Sequence, residues 1–348
     1  MKTVFLTDIR KMEVRQTPKP QIQRPDDVLM RVETVGVCGS DIHYFVSGRI
    51  GQQVVKFPWI VGHECSGIVQ EIGRAVKGLK KGQRVAVDPL IPCGRCDQCA
   101  AGRPHTCRSQ KFLGVPGQLE GCLSEYLVMP GECLYPAPGG MNGVRTALIE
   151  PLAIGLYSQR VGGDPGGKKI AILGNGPIGL CVLLSLRAAA AASGGCTVYC
   201  TDLIDERLAV AGRLGADWTG NPNKQDVVAE ILRREPAGVD LVFECCGKQE
   251  TVDQSGRLLR PGCMMVLVGI PEFDRFSFDM NYWRRKELTI RNVRRQNNTT
   301  ADAIQMVADG RINVDPLATH SFTLDQTAEA FDLVADYRDG VVKAMVNL

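Results

Sequence analysis

Cys93, Cys96, Cys99 and Cys107 place four thiols within fifteen residues. Four soft ligands this close suit a tetrahedral Zn–S4 centre, and with no open position left the role is structural. The metal then supplies folding energy to a loop with little apolar content. An iron–sulfur cluster and disulfides are the competing readings, and the iron content separates them. A second set is dispersed: Cys38, the pair His63-Glu64, and Glu150 ahead of Pro151. Singly these are a turn cysteine, a core histidine and a helix-edge carboxylate. Together they are the residue types of a catalytic zinc, in which three protein ligands leave one position for water or substrate.

A third feature is Gly174-Asn175-Gly176-Pro177-Ile178-Gly179, which follows an apolar run at 170–173 and opens a helical pattern. In that context Gly174 permits the tight turn, Gly176 lets the backbone approach a pyrophosphate, and Gly179 allows close helix–strand packing. The helix start at Pro177 and Ile178 faces the anion. Asp202 lies 23 residues after Gly179, near the offset at which an acid accepts hydrogen bonds from the adenosine ribose. A 2′-phosphate would meet it with like charge, so NAD is expected over NADP, with Arg207 as a residue able to pair with phosphate or stack on adenine.

Two kinds of element must position these groups. Short runs at 28–35, 67–72, 84–87 and 123–128, bounded by Gly, Pro or Asp, predict a β-rich domain. From about residue 165 apolar strands at 170–173, 197–201, 239–243, 264–269 and 288–293 alternate with helical segments, and 217–219 supplies a sixth strand. This rhythm predicts a doubly wound parallel sheet, giving an α/β chain overall. The tail, with helices near 301–309 and 325–335 and a strand at 341–346, is too short to fold alone and is expected to pair in the β-rich domain. The resulting boundaries are 1–152 completed by 294–348, and 153–293.

Length agrees with two domains: 348 residues at about 150 per domain. Lys plus Arg number 41 against 38 Asp plus Glu, a net charge of +3, which gathers neither nucleic acid nor an anionic membrane surface. The stretch 170–186 is short of a membrane span and carries Gly174, Gly176, Pro177 and Gly179. The first eight residues meet a charge before any signal-length apolar run, so a cytoplasmic location with reduced thiols is expected. Cys196, Cys200, Cys245 and Cys246 then read as small core fillers.

With these motifs in this order, the chain resembles the zinc-dependent medium-chain dehydrogenases of the alcohol dehydrogenase superfamily. Ser40-Asp41-Ile42-His43-Tyr44, Gly48-Arg49-Ile50-Gly51 and Pro58 before Gly62-His63-Glu64 are similar to the sorbitol (polyol) dehydrogenases. The resemblance implies a GroES-like catalytic domain and a Rossmann domain, two zinc ions per subunit, and a homotetramer or homodimer. It implies a catalytic zinc held by Cys38, His63 and Glu64, with Glu150 able to exchange onto the metal. It implies hydride transfer from a secondary hydroxyl of a polyol to NAD, with the proton relayed by Ser40 and His43, and Tyr44 and Arg294 near the substrate. Gln53 replaces the usual aromatic residue, and Arg294-Arg295 the usual Arg-Tyr. Arg295 adds a charge able to pair with carboxylate or phosphate, which makes an anionic sugar derivative the alternative substrate. Two other readings are an L-threonine 3-dehydrogenase-like enzyme, suggested by 102–107, and an idle crystallin-like member. The strand at 264–270 is expected to be the sheet edge that joins subunits.

Overall fold

The computed structural model describes residues 1–348. They form two compact units, one of Met1–Glu150, Thr300–Gly310 and Val314–Leu348, the other of Pro151–Thr299 and Arg311–Asn313.

The first unit is built on Asp27–Gly36, whose residues are buried at eight of ten positions. Both faces of that strand are therefore apolar, and it sits centrally, paired antiparallel with Glu64–Ile72 and with Tyr126–Pro130. Arg84–Val87 and Leu134–Pro136 extend the sheet beyond Glu64–Ile72. On the other side the C-terminal strand Lys343–Asn347 pairs antiparallel with Asp27–Gly36 and parallel with Ala318–Thr323. The expected docking of the tail strand is thus what the structure has. Ala318–Thr323 was not legible, because its polar Thr-His-Ser sequence alternates between exposed and half-buried positions. Val32, Phe45, Val61, Leu123, Phe331 and Val346 belong to one buried cluster, so residues more than 300 positions apart share a core.

The second unit is a six-stranded parallel sheet in the order Trp218–Gly220, Thr197–Thr201, Lys169–Leu173, Val239–Glu244, Leu259–Leu267, Thr289–Asn292. This is the doubly wound order, and its reversal lies beside Lys169–Leu173, the strand that feeds the glycine loop. One expectation fails. The run 264–270 is not an edge: Met264 to Leu267 pair on one side with Val239–Glu244 and on the other with Thr289–Asn292. The edge is Thr289–Asn292, three of whose four residues are exposed. An apolar run profits from two flanking strands, whereas polar residues suit the solvated edge. Residues 294–299 also stay with this unit, tied by Thr299 Oγ1 donating to the Ala153 carbonyl at 2.7 Å. No helix is long and apolar enough to cross a membrane.

Candidate active site

Cys38 ends the chain leaving the central strand and caps the helix Gly39–Ser47. His63 lies just ahead of the neighbouring strand, and Glu64 is its first residue. Pairing of those strands, with Gly36 opposite Glu64, is what brings Cys38 to His63. The ligand atoms of Cys38, His63 and Glu64 all lie within 4.8 Å of one another, with His63 and Glu64 buried. His63 Nδ1 stands 3.4 Å from Asp41 Oδ1, the carboxylate–histidine arrangement that orients a metal-binding imidazole. Asp41 is held in turn by the Gly62 N–H, at 3.2 Å.

Electrostatics describe a site that wants a cation. Burial pushes the Cys38 thiol up, and Glu64 adds to the effect. Burial alone would lower His63, but Asp41 and Cys38 outweigh it and leave the imidazole well above its ordinary value. Glu150, in the first turn of the helix Ile149–Gly162, is 6% exposed. Its carboxyl is pushed up to about 8, chiefly by burial. Its Oε2 is buried without a hydrogen-bond partner, and an unsatisfied buried acceptor is costly unless something absent from the chain binds it. Thiolate, imidazole, carboxylate and an orphaned acceptor fit a divalent ion.

Ser40 Oγ donates to Cys38 Sγ at 3.3 Å. His43 follows three residues later on the same helix and is half-buried. Tyr44 is a core residue, 2% exposed, whose hydroxyl donates to Gln53 Oε1 at 3.0 Å. Arg294 is exposed and Arg295 half-buried with φ +57°, both in the second unit.

Sequence reasoning missed Lys343. It is 1% exposed and donates to both oxygens of Glu64, at 2.9 and 2.7 Å, and to the Val37 carbonyl at 3.1 Å. The signal was a lone charge in the apolar run 341–346, since a buried lysine survives only when paired.

At the second cluster Cys96 Sγ is 3.6 Å from Cys99 Sγ and 3.8 Å from Cys107 Sγ. Tetrahedral Zn–S bonds of about 2.3 Å set sulfur atoms about 3.8 Å apart, so these separations fit one ion. All four thiols are free of disulfides. The Cys93 and Ser109 amides donate to Cys107 Sγ, and the Arg108 and Cys99 amides pull Cys96 down to about 6, which favours thiolate.

In the glycine loop Gly174 has φ +93°, and a Cβ there would strike Cys246 Sγ. A Cβ on Gly179 would collide with the Gly174 carbonyl. Above Gly176 there is open space, the nearest atom being Arg207 Nη1, 3.6 Å from where a Cβ would sit. Asp202 accepts from the Asn175 amide at 2.7 Å and the Ile204 amide at 2.9 Å. A loop with a close helix approach and an open central glycine fits a pyrophosphate.

A closed thiol cluster, an open thiolate–imidazole–carboxylate cluster and a dinucleotide loop define a zinc-binding dehydrogenase. Residues 24–139 match the model of the alcohol dehydrogenase GroES-like domain, and residues 177–309 that of the zinc-binding dehydrogenases. The chain is 33% identical to sorbitol dehydrogenase of Bacillus subtilis, over 99% of this chain and 97% of that protein. It is 35% identical to L-idonate 5-dehydrogenase of Vitis vinifera, over 99% and 94%. A solved zinc-binding dehydrogenase of Sinorhizobium meliloti, bound to NADP, superposes with a TM-score of 0.89 at 32% identity, covering 100% of this chain and 99% of that one. The chain belongs to the zinc-dependent medium-chain dehydrogenases of the alcohol dehydrogenase superfamily. It is an oxidoreductase that passes hydride between an alcohol and a nicotinamide dinucleotide.

Proposed function

We propose that the protein oxidises a secondary hydroxyl of a polyol or sugar alcohol to the ketose, with NAD as acceptor, and holds one structural and one catalytic zinc. The observation that carries the reading is the Cys38, His63 and Glu64 cluster, with Glu150 beside it. A divalent ion there supplies Lewis acidity that lowers the pKa of a substrate hydroxyl. A carboxylate in place of a second thiolate makes the donor set harder and suited to oxygen ligands. Asp41, 3.4 Å from His63 Nδ1, holds the imidazole in place. Ser40, hydrogen-bonded to Cys38 Sγ, receives the hydroxyl proton, and His43, on the same face of its helix at i+3, carries it toward solvent. Ser40→Ala therefore lowers kcat about 100-fold while zinc content stays at the wild-type value. Unchanged kcat under conditions where chemistry limits the rate would remove the relay.

Asp202 supports NAD, since its half-buried carboxylate stands beside the loop and opposes a 2′-phosphate. Arg207, at the same loop, works the other way. Asp202→Ser lowers the ratio of NAD to NADP efficiency by about 10- to 100-fold, as expected for removing one like-charge contact in partial solvent. Fluorescence titration with NADH and NADPH checks this, and tighter NADPH binding by the unmodified protein would overturn the assignment.

An anionic sugar derivative is the second reading, favoured by Arg295 and by the relative named for L-idonate. Turnover of sorbitol, xylitol, an inositol, an aldonate and a sugar phosphate with NAD decides between them. Preference for the charged compounds that weakens with salt selects the second.

A further inference from the structure

Lys343 joins the two chain segments that carry the proposed metal ligands. Its ammonium donates to the carbonyl of Val37, which immediately precedes Cys38, and to both carboxylate oxygens of Glu64, which immediately follows His63. The backbone repeats the link, with the Val37 amide donating to the Ala344 carbonyl at 2.9 Å. Glu64 has no room on its far side, because a Cβ on Gly36 would stand 2.5 Å from its Oε2. Both partners of the ion pair are 1% exposed, and an ammonium so deeply buried is tolerated only with its counter-charge and hydrogen bonds in place.

We propose that Lys343, contributed by the C-terminal strand, is a positioning residue for the metal: it clamps the Cys38 and Glu64 segments together and sets where the Glu64 carboxylate stands. This rests on the metal site proposed above. Lys343 acts through Glu64, as an outer partner that aims a ligand.

The test is cobalt binding to the full-length chain after removal of its metals, read by dissociation constant and visible spectrum, with cobalt at the four-thiol site distinguished by its stronger sulfur-to-metal bands. Lys343→Met weakens cobalt binding at the Cys38 site at least tenfold and alters its visible band. In the Glu64→Gln background the same replacement weakens binding no further. Lys343→Arg keeps the charge but not the shape, so binding stays within threefold while the band shifts. A lysine that merely supports the fold would lower Tm in Lys343→Met and leave affinity and spectrum unchanged, which overturns the proposal. Should Lys343→Met fail to fold, an unshifted band in Lys343→Arg overturns it equally. Wild-type protein that binds cobalt only at the four-thiol site would instead overturn the underlying metal-site reading.

Discussion

Cys38→Ser and His63→Ala each lower kcat/KM on the best alcohol by at least about 1,000-fold and remove one equivalent of zinc. The magnitude follows from what the ion contributes: Lewis-acid stabilisation of a developing oxyanion is worth several kcal/mol, and about 4 kcal/mol is three powers of ten in rate. Either replacement takes one ligand from the three-residue set and leaves the buried Glu150 Oε2 without a partner. The dinucleotide loop lies in the other unit, so NADH binding stays within threefold of wild type. Metal analysis, NADH titration and steady-state kinetics on one preparation check all three. Full activity with one zinc missing would show that the chemistry lies elsewhere.

Cys99→Ser removes the other zinc and lowers Tm by roughly 5–10 °C, with new protease cleavage between residues 93 and 107. Binding energy at such a site is folding energy, and the segment has little else to hold it: the helix Asp97–Ala100 buries no residue, and Cys93, Cys96 and Cys99 are only half-buried. The Arg108–Asp97 ion pair is exposed, and solvent screening leaves such a pair worth little. Loss of roughly 3 kcal/mol of apparent stability is therefore expected, and a few degrees of Tm per kcal/mol is usual for chains of this size. Iron in the purified protein, or an unchanged Tm after loss of this zinc, would refute the structural role.

The two outcomes differ because the two clusters differ in how they are encoded. The four thiols lie in one short segment with turn glycines at Gly94 and Gly102, so local spacing alone draws their sulfur atoms together. The glycine loop is equally local, since the strand before it and the helix after it are its neighbours in sequence. The dispersed set is not. Cys38 meets His63 through strand pairing between Asp27–Gly36 and Glu64–Ile72, and Glu150 arrives from a helix more than eighty residues later. Their residue types marked them as candidates, and the resemblance to a family gave them an order. Only strand pairing put the thiolate beside the imidazole.

Tyr44 shows the opposite limit. The resemblance implies that it lies near the substrate, and in the structure its ring is packed in the core and its hydroxyl is bonded to Gln53. The departure from an aromatic residue at 53 therefore first changes what Tyr44 touches. The strand 264–270 was misread as an edge for a related reason: an apolar run shows that a strand is buried, but not how many neighbours bury it.

By itself, then, the sequence determined what repeats or lies close along the chain: a β-rich part and a doubly wound part, a four-thiol lobe, a dinucleotide loop and the residue types of a second metal site. Tertiary structure decided which side chains meet across long loops. A lysine five residues from the C-terminus pairs with a glutamate at position 64, although nothing in either local segment names the other. Burial is the physical reason: an ammonium and a carboxylate taken out of water must find each other, and strand pairing at the centre of the sheet determines where they do.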